Sequence, residues 1–346
     1  MTSIPAPVLE PAETVSDLTA GLGHSPAQRL QHLLHRRPAL SPLAVLLLAV
    51  VIFSLVNARF YSAVNLSLVA QQTAVVGSLA VGQTLIVLTA GIDLSVGSIM
   101  VLASFLAANL VFTDRVSVPL ALLAGAVVAV AAQAVNGLLV TRVKLPPFIV
   151  TLGTFNAFTA ITLIYAKGQT ITLDPSSGLL WTGQSFSLGS FRITYGVLLM
   201  AALYLVVAYA LRCTAWGRHL YATGDDAEAA RLAGINTRRV LLSAYLVAGV
   251  VTAIAAWILC GRVGGADPNS GLNANLETIT AVVIGGTSLF GGRGSLLGSL
   301  LGALIVQVFD NGLALAGVDA NYQVLAVGVL VIAAVSVDQW IRKVKA

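Results

Sequence analysis

The 346-residue chain is 57% hydrophobic and only 10% charged, with a mean hydropathy of +0.90. A soluble domain carries about a quarter charged residues, so this composition excludes a soluble globular protein. The formal net charge of +5 needs no nucleic-acid partner, because the basic residues are distributed as membrane orientation requires.

In chain order, residues 1–38 are polar and rich in Pro, Ala, Ser and Thr, which predicts a disordered cytoplasmic tail. A signal peptide is not expected: the first apolar run starts near residue 41 and is long enough to span. A membrane helix needs about 20 mostly apolar residues. On that count the spans fall at 41–57, 64–81, 84–111, 118–140, 147–166, 194–211, 240–260, 275–290, 295–316 and 322–340. The expected fold is an all-α integral membrane protein of about ten helices, with residues 39–346 forming the transmembrane domain.

With both termini inside, Arg29, Arg36, Arg37, Arg142, Lys144, Arg212, Arg218, Arg231, Arg238, Arg239, Arg293, Arg342, Lys343 and Lys345 face the cytoplasm. Arg59, Arg115, Lys167, Arg192 and Arg262 are then outside. Fourteen against five of the 19 basic residues satisfies the positive-inside rule. Cys213 and Cys260 fall at opposite membrane faces, too far apart for a disulfide.

Gly91-Ile-Asp-Leu-Ser-Val-Gly-Ser98 interrupts the third apolar segment. A carboxylate facing lipid is costly, so a broken third helix is expected, with Asp93 capping backbone N–H groups where a half-helix begins. Asp93 is either only that cap or part of a substrate route, since broken helices line such routes in transporters. Ser95, Gln133, Asn136 and Asn311 are uncharged polar groups able to exchange hydrogen bonds with hydroxyls. They join Asp93 as candidates for a weakly binding substrate path, with helix packing the alternative for each. Thr141 to Phe148, with its paired prolines, is a cytoplasmic turn, and Thr151 to Thr154 gives the fifth span a small, hydroxylated face.

The loop 212–239 is a charged island between apolar spans. Within it, Ala227 to Ala233 is strong helix-forming sequence closed by Gly234 at a C-cap position. An ordered amphipathic helix at the cytoplasmic face offers a partner something to grip. Gly285 to Ser295 is glycine-rich but lacks the phosphate-loop pattern, which occurs nowhere in the chain. No catalytic residue, metal site or cofactor is expected. Ala126 to Leu138 echoes Ala303 to Leu313, and Gly91 to Leu94 echoes Gly286 to Leu289; the paired spans run in opposite directions, which suits an inverted repeat.

Taken together, Gly91–Ser98, Pro147–Thr154, Gly217–Ile235, Gly285–Leu289 with Gly291-Gly292, and Asn311–Leu313 resemble the permease family of bacterial ATP-binding-cassette (ABC) importers for monosaccharides, the group with ribose and xylose permeases. The resemblance covers roughly residues 60–340. It implies a plasma-membrane permease that pairs with a second permease subunit, most simply as a homodimer. Two cytoplasmic ATPase subunits would dock on it, and an extracytoplasmic binding protein would deliver the sugar. The ATPase-docking motif of the family falls on Glu228, Ala229, Ala230 and Gly234, with Gly217, Arg218, Gly224 and Asp226 in the same loop.

Three departures are visible: Asp226 stands where the family usually has Asn, Ala274-Asn-Leu-Glu277 where ribose-type members read Tyr-Glu-Leu-Asp, and Asp310 where an uncharged residue is commoner. The last two lie in or near the membrane and bear on which sugar is carried. An ion-coupled carrier working alone would use Asp93, Glu277 and Asp310 but leaves the docking helix unexplained. Permeases for branched-chain amino acids or nucleosides are the related alternative. A membrane enzyme finds no supporting motif.

Overall fold

The computed structural model describes residues 40–271, 273–319, 321–326, 328–329 and 332. The expected tail 1–38 and most of the expected tenth span lie outside the described residues.

Helix α1 covers Leu40–Val56 and α2 covers Ala63–Leu88. Ser62 starts α2 by accepting a hydrogen bond from Asn65 N at 3.3 Å. From Thr73 to Leu88 every residue of α2 is buried, the polar Thr73, Ser78, Gln83 and Thr84 included. α3 is Val96–Phe112 and α4 is Val118–Leu138, which runs on into a π-helical turn at Leu139–Val143. Lys144, at φ 63, ends that turn ahead of Pro146, and α5, Pro147–Ala166, starts with proline in its first turn.

The segment after α5 carries no helix signal. It forms β1 (Ile171–Thr172), a 3-10 turn at Gly178–Gly183, and a hairpin of β2 (Ser185–Leu188) and β3 (Phe191–Thr194). Then come α6 (Tyr195–Cys213), α7 (Ala215–Asp225), α8 (Ala227–Leu232) and α9 (Thr237–Val263). β4 (Gly265–Ala266) pairs antiparallel with β1. α10 (Ala274–Ile284) and α11 (Leu296–Leu315) follow. Among the described residues, six helices are long and apolar enough to cross a bilayer, and α1, α3 and α10 are shorter apolar helices.

α2 and α9 form the centre. α9 packs against α2 and α4, α10 and α11 cover another side of α2, and α3 joins α4 to α5. The Leu88 end of α2 touches the 291–292 loop, with Gly292 N donating to Leu88 O at 3.0 Å. At the opposite end, Arg192 N in the β-hairpin donates to Ser67 Oγ at 3.0 Å. These two ends define a face carrying the 291–292 loop and a hairpin face.

Two expected boundaries move. α2 passes straight through the expected gap at 82–83, because Gly82 is a contact point and not a breaker: a β-carbon there would lie 3.3 Å from Ala248 Cα. The interruption of the third span therefore falls at residues 89–95, between α2 and α3, and each of these is itself unbroken. The eighth span is also shorter than expected. The 11 residues of α10 rise only about 16 Å, roughly half the hydrocarbon thickness. Its start packs beside the first turn of α3, where a β-carbon on Gly97 would meet Asn275 N at 3.2 Å. Gly285 and Gly286, the latter at φ +83, end it.

Candidate functional site: a buried polar joint and a projecting helix pair

The 89–95 interruption brings together four of the five expected path residues. Asp93, Ser95, Gln133 and Asn136 are all 0% exposed. Asp93 Oδ1 accepts from Ser95 N at 2.7 Å and from Ser95 Oγ at 2.6 Å. Its Oδ2 accepts from Gln133 Nε2 at 2.6 Å. Asn136 Nδ2 donates to Ser95 Oγ at 2.8 Å, and Asn136 Oδ1 accepts from Thr154 Oγ1 at 2.8 Å. Thr151 Oγ1 on α5 donates to Ile92 O at 2.9 Å. The buried carboxylate thus accepts three hydrogen bonds, as a buried charge requires. It caps the N–H of Ser95, the residue just before α3, by an Asx turn. The joint ties the connecting loop to α4 and α5, and in this conformation its polar groups satisfy one another.

Next to the joint lies a small, partly open pocket of about 10 Å³, room for about one water molecule. Ser98, one turn beyond Ser95, lines it with Phe155, Thr159, Thr162 and Ser270. Val101, Pro268 and Gly271 complete the lining, so hydroxyls and apolar groups share this space. Thr159 is half-buried, and its hydroxyl makes no hydrogen bond among the described residues.

Asn311 is not part of the joint. It sits toward the hairpin face, accepting from Asn65 Nδ2 at 2.8 Å, so it bridges α11 to the start of α2. Nearby on α11, Gln307 Nε2 donates to Glu277 Oε2 of α10 at 3.2 Å. Asp310 lies three residues on from Gln307, on the same helix face. The two acidic departures at 277 and 310 therefore share one α10–α11 seam, and the charge of Arg262 acts on both. Gln307 carried no sequence signal; only the pairing of α10 with α11 reveals it.

The loop 212–239 holds two helices where the sequence reading expects one. Thr214 caps α7, accepting from Gly217 N at 3.3 Å. Leu220 is fully buried, and Trp216 Nε1 and Tyr221 OH donate to Ser243 Oγ and Gly294 O at 2.8 and 3.0 Å. The helical spacing of Trp216, Leu220 and Thr223 is the signal that could have placed α7. Gly217 and Gly224 sit where backbones touch: a β-carbon would overlap the carbonyl of Leu211 at the first and of Leu88 at the second.

Asp226 begins α8, its Oδ1 accepting from Glu228 N and Ala229 N, both at 2.9 Å. The end is a Schellman motif, with Ile235 N on Ala230 O and Gly234 N on Arg231 O, both 3.0 Å, and Gly234 at φ +85. Only Ala230 of α8 is buried. Arg218, Glu228, Ala229 and Arg231 are exposed, and Leu232 is 78% exposed. Arg231 hydrogen-bonds Glu228 and holds its carboxyl below the usual carboxylate range.

The structure thus presents a helical membrane domain with a buried polar joint and, at one face, a packed helix α7 followed by the largely exposed α8. The chain belongs to the family described as branched-chain amino acid transport system / permease component, which it matches over residues 65–335. It is 48% identical over 324 residues to the fructose import permease protein FrcC of Rhizobium meliloti, covering 92% of this chain and 90% of that protein. It is 38% identical to the ribose import permease protein of Bacillus subtilis, over 87% and 92% of the two chains. With the xylose transport system permease protein of Haemophilus influenzae it shares 31%, over 82% and 90%. No solved structure matches it.

Proposed function

We propose that this chain is the membrane permease of an ABC importer that moves a monosaccharide into the cytoplasm. The observation that carries this is its likeness, over nearly its whole length, to permeases named for fructose, ribose and xylose. The exposed α8 supports a separate ATPase as the engine, docking on Glu228, Ala229, Ala230 and Gly234 with Gly217, Arg218, Gly224 and Asp226 supporting the loop. The docking face is then cytoplasmic, as the distribution of basic residues requires, and both termini lie on that side. A second copy of this chain completes the permease, and an extracytoplasmic binding protein supplies the sugar.

For the path, the pocket beside Ser98 is too small for a sugar in this conformation but carries hydroxyls, from Ser98, Thr159, Thr162 and Ser270, that can hydrogen-bond a neutral polyol once it widens. The Asp93–Ser95–Gln133–Asn136 joint lies next to this pocket through the Ser98 hydroxyl, which donates to Ser95 O, and Asn311 serves helix packing.

Reconstitution with the companion ATPase and binding protein tests the assignment. ATP-dependent uptake of labelled fructose is expected, with no uptake when the ATPase is omitted. Accumulation driven by an ion gradient without ATPase overturns it. The family's description favours one second reading, a branched-chain amino acid; leucine uptake in place of sugar uptake would establish that reading.

A further inference from the structure

The β2–β3 hairpin is amphipathic by register. Phe186 pairs with Ile193 and Leu188 with Phe191, while Ser187 pairs with Arg192. Side chains alternate across a strand, and directly paired residues share a face. Phe186, Leu188, Phe191 and Ile193 therefore form one apolar face, and Ser187 and Arg192 lie on the other. The apolar face is bare at its tip, with Leu188 63% and Phe191 44% exposed. At its base it runs into aromatic rings: Phe186 lies 6.0 Å from Tyr195, which stacks on Trp181 at 4.6 Å.

A bare apolar patch of this kind needs an occupant, and α6 identifies it. Tyr195 opens α6, and the exposed residues Leu198, Leu205, Val206 and Tyr209 continue from it along one side of the helix. On a membrane-crossing helix, such an apolar stripe ending in tyrosines faces lipid. The hairpin's apolar face is continuous with that stripe through Tyr195.

The geometry points to the 185–194 hairpin as an interfacial anchor that lays Phe186, Leu188, Phe191 and Ile193 on the bilayer surface, with Trp181 and Tyr195 at headgroup depth. Ser187 and Arg192 then face water and lipid headgroups. Because Arg192 N is bonded to Ser67, the anchor also fixes the hairpin-face end of α2. This inference is independent of the transported substrate and of which membrane side the hairpin occupies.

The test uses the full chain in nanodiscs of phosphatidylethanolamine and phosphatidylglycerol. The exposed Cys213 is replaced by Ala, and single cysteines at Leu188, Phe191 or Ser187 carry an environment-sensitive fluorophore. The buried Cys260 stays. Probes at 188 and 191 should emit to the blue of the probe at 187. They should be quenched several-fold more by acyl-chain spin labels, and several-fold less by aqueous iodide. Equal iodide access at 187, 188 and 191 overturns the anchor. So does protection of 188 that appears only when the binding protein is added, because the patch would then be a protein interface. Two apolar-face positions are probed so that one badly folded variant does not decide the outcome.

Discussion

Gly224 lies against the carbonyl oxygen of Leu88, so closely that a β-carbon at 224 would overlap it and lie 2.8 Å from Gly292 N, which itself donates to that carbonyl. The last turn of α7 thus packs directly on the junction of α2 with the 291–292 loop. Force on α7–α8 reaches the central helix through backbone, with no flexible side chain between. Gly224→Ala must push these segments apart, and overpacking of this kind costs about 1–3 kcal/mol. The expected result is a lower melting temperature together with ATP hydrolysis that no longer drives proportionate uptake. Unchanged stability and coupling would show that the contact transmits nothing.

The α8 cap gives a sharper local prediction. Asp226 Oδ1 holds two backbone N–H groups of a six-residue helix. Loss of an N-cap costs about 1 kcal/mol, which is large for one and a half turns. Asp226→Ala should weaken ATPase binding about fivefold to tenfold, while Asp226→Asn, which keeps the accepting oxygen, should bind nearly as the parent does. Affinity measured by surface immobilisation of the full permease in nanodiscs separates the three. Equal binding by the alanine variant would mean that the partner folds α8 regardless of its cap.

The Glu228–Arg231 pair adds a pH dependence of definite sign. Arg231 lowers the Glu228 pKa from its ordinary 4.5, so the pair's contribution is present above that value and fades only in acid. ATPase affinity should therefore be flat between about pH 8 and about pH 5.5 in this respect. Glu228→Gln should remove whatever loss appears below that range, which a titration of binding for both proteins checks.

Asp93 accepts three hydrogen bonds within the joint. Replacing it with Leu strands Gln133 Nε2 and the N–H and hydroxyl of Ser95 in a dry interior. Each buried unsatisfied group costs about 1–3 kcal/mol. Asp93→Leu should therefore lower the melting temperature clearly, and Asp93→Asn should lower it less because an oxygen acceptor remains. A higher melting temperature for the leucine variant would mean that the carboxylate was an uncompensated charge and not the centre of a joint.

Much of this architecture was legible because local chemistry and global structure agree. Asp93 among glycines and serines signals a chain break, since a carboxylate cannot face hydrocarbon. Gly234 after a run of helix formers signals a Schellman end. What stayed hidden depends on partners distant in sequence. Asn311 looks like Asn136 in its Asn-Gly context, yet the two lie toward opposite faces because α4 and α11 end at opposite faces. The break is legible at Gly91–Ser98 and falls at 89–95, while the gap expected at 82–83 closes because Gly82 packs on Ala248. Glu277 and Asp310 could be picked out singly as intramembrane acids, but their shared seam appears only when α10 packs on α11. α10 itself reads as a full span by hydropathy, while its flanking glycines and asparagines shorten it to half.

The substrate path supplies the last prediction, because two neighbouring sets of polar groups differ in whether they are free. Asn136 spends its amide on Ser95, Gln133 and Thr154, leaving nothing for a sugar in this conformation. Thr159 lines the adjacent pocket with a hydroxyl unbonded among the described residues. Thr159→Val removes that hydroxyl at nearly constant volume. If sugar passes through the pocket, the variant should raise the apparent KM for uptake severalfold, since one neutral hydrogen bond is worth about 0.5–1.5 kcal/mol. Melting temperature and ATPase activity should stay unchanged. Asn136→Ala should do the reverse, lowering the melting temperature and the yield of assembled complex. Should Asn136→Ala instead raise KM in a fully stable protein while Thr159→Val transports normally, the route runs through the amides of the joint. The joint would then have to open during transport.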